Sequence, residues 1–177
     1  SIKRQILLAR LIMKLPDFVQ NYDHALKLSS ALGRFIDQIY TEDLDMADLA
    51  TLVPEDFAEH WQITLKFLTI ISEQWPAYLS DNNVIDAADR RTRLLKALNE
   101  YWLTAPPDTP VIAAGSTGSI PAVAALLDTV AFMPQGTVVL PGVDKDLDEE
   151  SWKALDDTHP QIGFKKLLEF MDLKRTD

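Results

Sequence analysis

The sequence predicts a predominantly helical α/β protein in which a helical layer precedes a short parallel-sheet unit. Three observations carry this. Apolar residues recur at steps of three and four through residues 2–104, the period of an α-helix. Two short apolar runs rich in β-branched residues follow, Val111–Ala114 and Thr137–Leu140, the first opened by Pro110 and closed by Gly115, the second closed by Pro141-Gly142. Between them Gly115-Ser116-Thr117-Gly118-Ser119 leads into the apolar segment Ile120–Val130, so that Thr109–Val143 reads as strand, turn, helix, strand, the order of a βαβ unit. The expected division is a helical subdomain over 1–104 and an α/β subdomain over 105–177, with strands near 110–114 and 137–141.

Each element has a local reason. Leu8, Leu11, Ile12 and Leu15 fall on one face of a helix over 2–15. Pro16 interrupts it and Asp17 is placed to cap the next helix, striped by Phe18, Tyr22, Ala25, Leu28, Leu32, Phe35 and Ile39. After a polar joint at Thr41–Asp45, Asp45 caps a short helix with Met46, Leu49 and Leu52. Pro54-Glu55-Asp56 then opens the longest stripe, Phe57, Trp61, Leu65, Leu68, Ile71, Trp75 and Leu79, kinked or ended near Pro76. Asp81-Asn82-Asn83 is a turn, and a helix from about Asp86 carries Arg91, Leu94, Leu95, Leu98 and Trp102 on one side. Ala105–Asp108 is a stiff linker into the first strand. Beyond the second strand, Asp148 caps a helix over Glu149–Leu155, and another spans Ile162–Leu173. The four tryptophans lie on helical stripes or beside turns, which reads as core packing.

Composition narrows the function classes. No apolar run reaches the ~18 residues of a membrane span, and no secretory leader is visible. The absence of cysteine rules out a disulfide, a thiolate metal site or a cysteine nucleophile in this chain and fits a reducing, cytoplasmic setting. A net charge of −10, from 17 basic and 27 acidic residues, argues against strong nucleic-acid binding through the overall field. Both ends read as cut from a longer chain.

The one candidate phosphate loop is Gly115, Ser116, Thr117, Gly118 and Ser119, because a glycine-rich turn at a helix N-terminus presents backbone N–H groups to an anion. It lacks the lysine of GxxxxGK[ST], the next lysine being Lys145, and its G-x-x-G spacing is not a dinucleotide fingerprint. The bland alternative is a strand-to-helix turn with a Ser or Thr cap and a glycine in an unusual backbone conformation. Asp144, Asp146 and Asp148 alternate as in a calcium loop, but Glu149 and Leu155 occupy the places where an EF-hand needs glycine and glutamate. That run reads instead as a solvated turn ending in an acidic helix start. His24, His60 and His159 show no zinc spacing, and His159 reads as a hydrogen-bonding turn residue. Neither catalytic nor metal-ligating residues are assigned.

Four phrases carry a family resemblance: V-I-A-A-G-S-T-G-S-I-P-A-V-A-A-L-L (Val111–Leu127), T-V-V-L-P-G-V-D (Thr137–Asp144), L-V-P-E-D-F-A-E-H-W (Leu52–Trp61) and H-P-Q-I-G-F-K-K-L-L (His159–Leu168). They resemble the AddB subunits of alphaproteobacterial AddAB helicase–nucleases, which repair DNA double-strand breaks. The resemblance implies an internal piece of such a subunit, from a half that looks like part of a P-loop, superfamily-one helicase core. Residues 2–104 would belong to a helical insertion, and Val111–Ala114 would be the strand returning to the sheet. In working motors that strand ends in Asp-Glu for magnesium, whereas here it exits into Ala114-Gly115-Ser116-Thr117. The family's iron–sulfur cluster and magnesium would lie outside this chain, its partners would be the AddA subunit and, in the full complex, DNA. The expectation is a degenerate, non-catalytic helicase-like scaffold; a small phosphate- or nucleotide-binding enzyme using the Gly115–Ser119 turn, and a helical interaction module, are the other readings.

Overall fold

A computed structural model describes residues 2–15, 19, 21–46 and 67–175. The expected helices around Leu49, Leu52 and Phe57–Leu65, the cap Asp17, His60 and the Leu52–Trp61 phrase lie outside the described residues. The elements are α1 (Ile2–Ile12), α2 (Tyr22–Thr41), a π-helical segment (Ile70–Gln74) continuing into α3 (Trp75–Asp81), α4 (Ala87–Thr104), β1 (Val111–Ala114), α5 (Pro121–Phe132), β2 (Gly136–Val139), α6 (Glu149–Lys153) and α7 (Ile162–Phe170). Among the described residues the architecture is thus mostly helical with one short parallel sheet, as the sequence predicts in outline. Two compact units, Ser1–Arg91 and Thr92–Asp177, divide within α4. The sequence reading sets its boundary at residue 104, where α4 ends.

In the first unit α1 packs on α2 and on the π segment, and Leu8, Ile12, Ile36, Ile70 and Ile71 are completely buried between them. Each such side chain contributes about 1.5–3 kcal/mol of transfer free energy. The buried face of α2 is Ala25, Ser29, Leu32, Gly33, Ile36 and Ile39. Tyr22 and Phe35, expected on that face, are exposed. A Cβ on Gly33 would stand 3.6 Å from Leu8 Cδ1, an ordinary contact distance, and the buried face mixes small residues with the aliphatic Leu32, Ile36 and Ile39 rather than aromatics. α2 begins at Asn21, whose side chain accepts from the His24 N–H. Near Pro76 the helix does not end. It widens into the π segment, where the Trp75 N–H reaches Ile70 O, and then runs on as α3. Proline cannot donate to the preceding turn, and the wide turn absorbs that missing bond.

A buried polar knot ties α1, α3 and α4 together inside this unit. Asp86, with its side chain fully buried, accepts from Trp75 Nε1 at 3.1 Å and from the Ala88 N–H at 3.2 Å, and pairs with Arg4 Nε at 3.0 Å. Arg4 also binds Asp37 at 2.6 Å and lies 5.9 Å above the Trp75 ring, which stacks on Tyr78. Asp86 is therefore both a helix cap and the acceptor that lets two donors be buried.

In the second unit β1 and β2 pair in parallel, with Val111 opposite Gly136 and Ala114 opposite Val139. The second strand starts at Gly136, one place before the expected run. A Cβ there would lie 1.7 Å from Val130 O, so only glycine lets β2 leave α5. One sheet face, Ala113 and Val138, packs on Ala124, Leu127, Leu167 and Met171 of α5 and the α7 region. Trp152, Phe164 and Leu168 form an adjoining cluster. On the opposite face Ile112 is 68% and Val139 51% exposed. On the stripe expected for α4, Leu95, Leu98 and Trp102 are half-buried while Leu94 is exposed, and Tyr101 and Leu103 off that stripe are exposed too.

Candidate functional site

The Gly115–Ser119 turn sits where the sequence puts it, between β1 and α5. Gly115 leaves the strand with φ +82°, and its N–H donates to Val139 O at 3.2 Å, closing the sheet end. Ser116 Oγ accepts from the Gly118 N–H at 3.3 Å, holding the turn on itself. Gly118 has φ +63°, and a Cβ there would meet Leu167 Cδ1 at 2.6 Å. That glycine is thus explained twice over by packing and backbone conformation, without any anion. The expected Ser or Thr cap is corrected: the N-cap is Ile120, whose hydrocarbon side chain cannot accept a hydrogen bond, and the helix opens on Pro121, which has no N–H to satisfy.

Chemically the turn offers hydroxyls of Ser116, Thr117 and Ser119 and the N–H groups of a helix start. No lysine or arginine occurs from residue 97 to 144, so no cation stands in sequence near the loop to neutralise a phosphate. The acid on α5, Asp128, lies with Trp102, Phe132 and Pro134, and burial raises its carboxyl above the usual aspartate range. The turn itself carries no titratable side chain, only hydroxyls and backbone groups.

The other flagged residues make structural contacts. Asp144 Oδ1 accepts from the N–H groups of Asp146 and Leu147, an Asx turn. Asp148 caps α6, accepting from the Ser151 N–H and hydroxyl at 2.8 Å each; the backbone bond is the first cause that holds its carboxyl below the ordinary range. Among the described residues no cluster of His, Asp and Glu could hold a metal ion. His24 is exposed in the first turn of α2. His159 Nδ1 accepts from the Gln161 N–H at 3.1 Å, the turn role expected of it.

Sequence reasoning missed the residues that lock this end of the unit. Gln161 accepts from the Asp144 N–H and donates to Gly142 O, clasping the loop after β2 to the start of α7. Arg175 lies 5.0 Å above the Trp152 ring, bonds Glu149 at 2.8 Å and Asp144 O at 3.3 Å, and is nearly buried. Its only sequence signal was a basic residue after an apolar helix, which does not specify a partner.

No known family model matches the chain, and no curated protein or solved structure gives a match either.

Proposed function

We propose that this chain is a non-catalytic, helicase-like α/β scaffold within a DNA double-strand-break repair helicase–nuclease subunit of the AddB type. In this reading it works in the cytoplasm and holds an AddA-type partner, while DNA is engaged by the whole complex and the acidic chain alone binds it weakly. The supporting observation is the open sheet face. Parallel strands are ordinarily covered on both faces, yet Ile112 and Val139 stand exposed on one. Such a face is suited to receive neighbouring structure. The turn that a motor would use for nucleotide has glycines accounted for by positive φ at Gly115 and by positive φ and packing at Gly118, and β1 ends without an acidic pair.

The test is sedimentation of the purified chain with and without the AddA-type subunit. The expected outcome is a one-to-one complex that Ile112→Asp weakens by roughly tenfold, or about 1.4 kcal/mol, with no ATP hydrolysis by the chain alone. Absence of a complex at micromolar concentrations, or ATP turnover that depends on Gly115–Ser119, would sink the reading.

A further inference from the structure

Near the carboxyl ends of α4 and α5 the second unit forms a pocket of about 240 Å³, lined among others by Trp102, Leu103, Pro106, Asp128, Phe132 and Pro134. Asp128 is its one charged group. Its carboxylate is half-buried and makes no hydrogen bond or ion pair among the described residues, whereas Asp86, Asp148 and Asp156 each accept from backbone N–H groups. A partly desolvated carboxylate without a partner works against the fold, so folding does not explain this one. The charge around it has one sign. From residue 97 to 144 the chain carries Glu100, Asp108, Asp128 and Asp144 and no lysine or arginine. Lys96, the base closest in sequence to Trp102, lies about 9 Å back along α4 and is engaged in an interaction of its own. Neither α4 nor α5 has a basic residue in its last turn, where the helix dipole favours one.

We propose that this pocket receives one arginine side chain from a partner protein, its guanidinium pairing with Asp128 and its stem lying among Trp102, Phe132 and the two prolines. A guanidinium is planar, stacks on aromatic rings and meets a carboxylate with two donors, which suits a single acid among rings better than a compact ammonium does. The pocket is smaller than the usual small-molecule site, so it fits one side chain. Leu103 and Phe132, each 65% exposed, form an apolar rim that only a larger partner would cover. These residues are not those on which the scaffold reading rests, so the two stand or fall separately.

The probes are N-acetyl-Leu-Arg-Leu amide, its citrulline counterpart and methylguanidinium, each titrated into the full chain and followed by amide and indole nuclear magnetic resonance shifts. The arginine peptide is expected to saturate one site in the millimolar range, with shifts centred on Trp102, Asp128 and Phe132. The citrulline peptide keeps the shape without the charge and binds roughly fivefold to tenfold more weakly. Methylguanidinium, lacking the apolar flanks, binds roughly tenfold more weakly. Asp128→Asn brings the arginine peptide down to the citrulline level and leaves the citrulline peptide unchanged, and Phe132→Ser weakens the arginine peptide by roughly threefold. Asn keeps the size of Asp and Phe132 is exposed, so the fold persists, and thermal unfolding checks that it does. Equal affinity for the arginine and citrulline peptides, indifference to either substitution, shifts that map outside the pocket, or no saturation in the millimolar range each overturns the proposal. Methylguanidinium binding as tightly as the peptide overturns it too, by assigning the site to a free small cation.

Discussion

Replacing Gly118 by alanine tests whether the turn is built for packing. Two costs add. An alanine held at φ +63° pays about 1–2 kcal/mol for left-handed backbone. Its Cβ also arrives 2.6 Å from Leu167 Cδ1 and 2.9 Å from Cδ2, about 1 Å inside ordinary carbon–carbon contact. Leu167 is only 2% exposed and lies against Ala124, Leu127 and Met171, so it cannot simply swing away. Overpacking of this kind costs about 1–3 kcal/mol, and the total expected is about 2–5 kcal/mol. Gly115→Ala is the internal control, because its φ is +82° but nothing lies within 4 Å of the new Cβ. It carries the backbone cost alone. Urea unfolding of Gly118→Ala, Leu167→Ala and the double variant completes a cycle. Leu167→Ala costs about 2–5 kcal/mol alone, and the double variant is less destabilised than the sum by about 1–3 kcal/mol, since truncation makes room for the Cβ. Strict additivity, or a Gly118→Ala cost no larger than that of Gly115→Ala, refutes the packing argument.

Asp86→Ala strips a buried acceptor from Arg4, Trp75 and the start of α4, and about 3–5 kcal/mol should be lost in urea unfolding followed by tryptophan emission; a loss below about 1 kcal/mol contradicts the knot. The Asp148 carboxyl is depressed by its bonds to Ser151, so its support for α6 is present above the unfolded aspartate range and disappears as pH falls through the depressed folded value. Comparing acid unfolding of the wild type with Asp148→Asn, the stability gap should narrow toward low pH, and a gap that widens there counts against the cap. Asp128 runs the other way: burial raises its carboxyl, so stability is greatest with the group protonated and declines as pH rises through the raised value. Asp128→Asn should therefore gain stability at pH 7 relative to wild type but not at pH 3, read from thermal midpoints; equal effects at both pH values would show another origin.

The sheet unit was the most legible part of the chain. Val111–Ala114 and the run after Gly136 are short, β-branched and punctuated by proline and glycine, so local chemistry alone specifies strands there. Periodicity was a poorer guide to what each helix face touches. On α2 it nominated Phe35 and Tyr22, while the buried face runs through Ala25, Ser29, Leu32, Gly33, Ile36 and Ile39. On α4 the stripe is present but Leu94 is 58% exposed, because amphipathicity specifies a helix and not its cover. At the candidate turn the residues were found but their reasons were not. Gly118 answers to Leu167, forty-nine residues away in sequence (167 − 118), a contact no local pattern encodes. The same holds for Asp86, Gln161 and Arg175, whose partners come from other elements.

The π segment before Pro76 also fixes an angular phase. It fits five residues where a regular turn fits fewer, so everything after it is rotated about the helix axis relative to an uninterrupted α-helix. Tightening Ile70–Gln74 into ordinary α-helix with all five residues kept would turn α3 by roughly a quarter turn against the residues before it. Trp75 would then aim its indole away from Asp86, now 3.1 Å from its nitrogen. The irregularity that proline imposes is thus also the setting that points a buried donor at its acceptor, and a tidier helix would lose the knot.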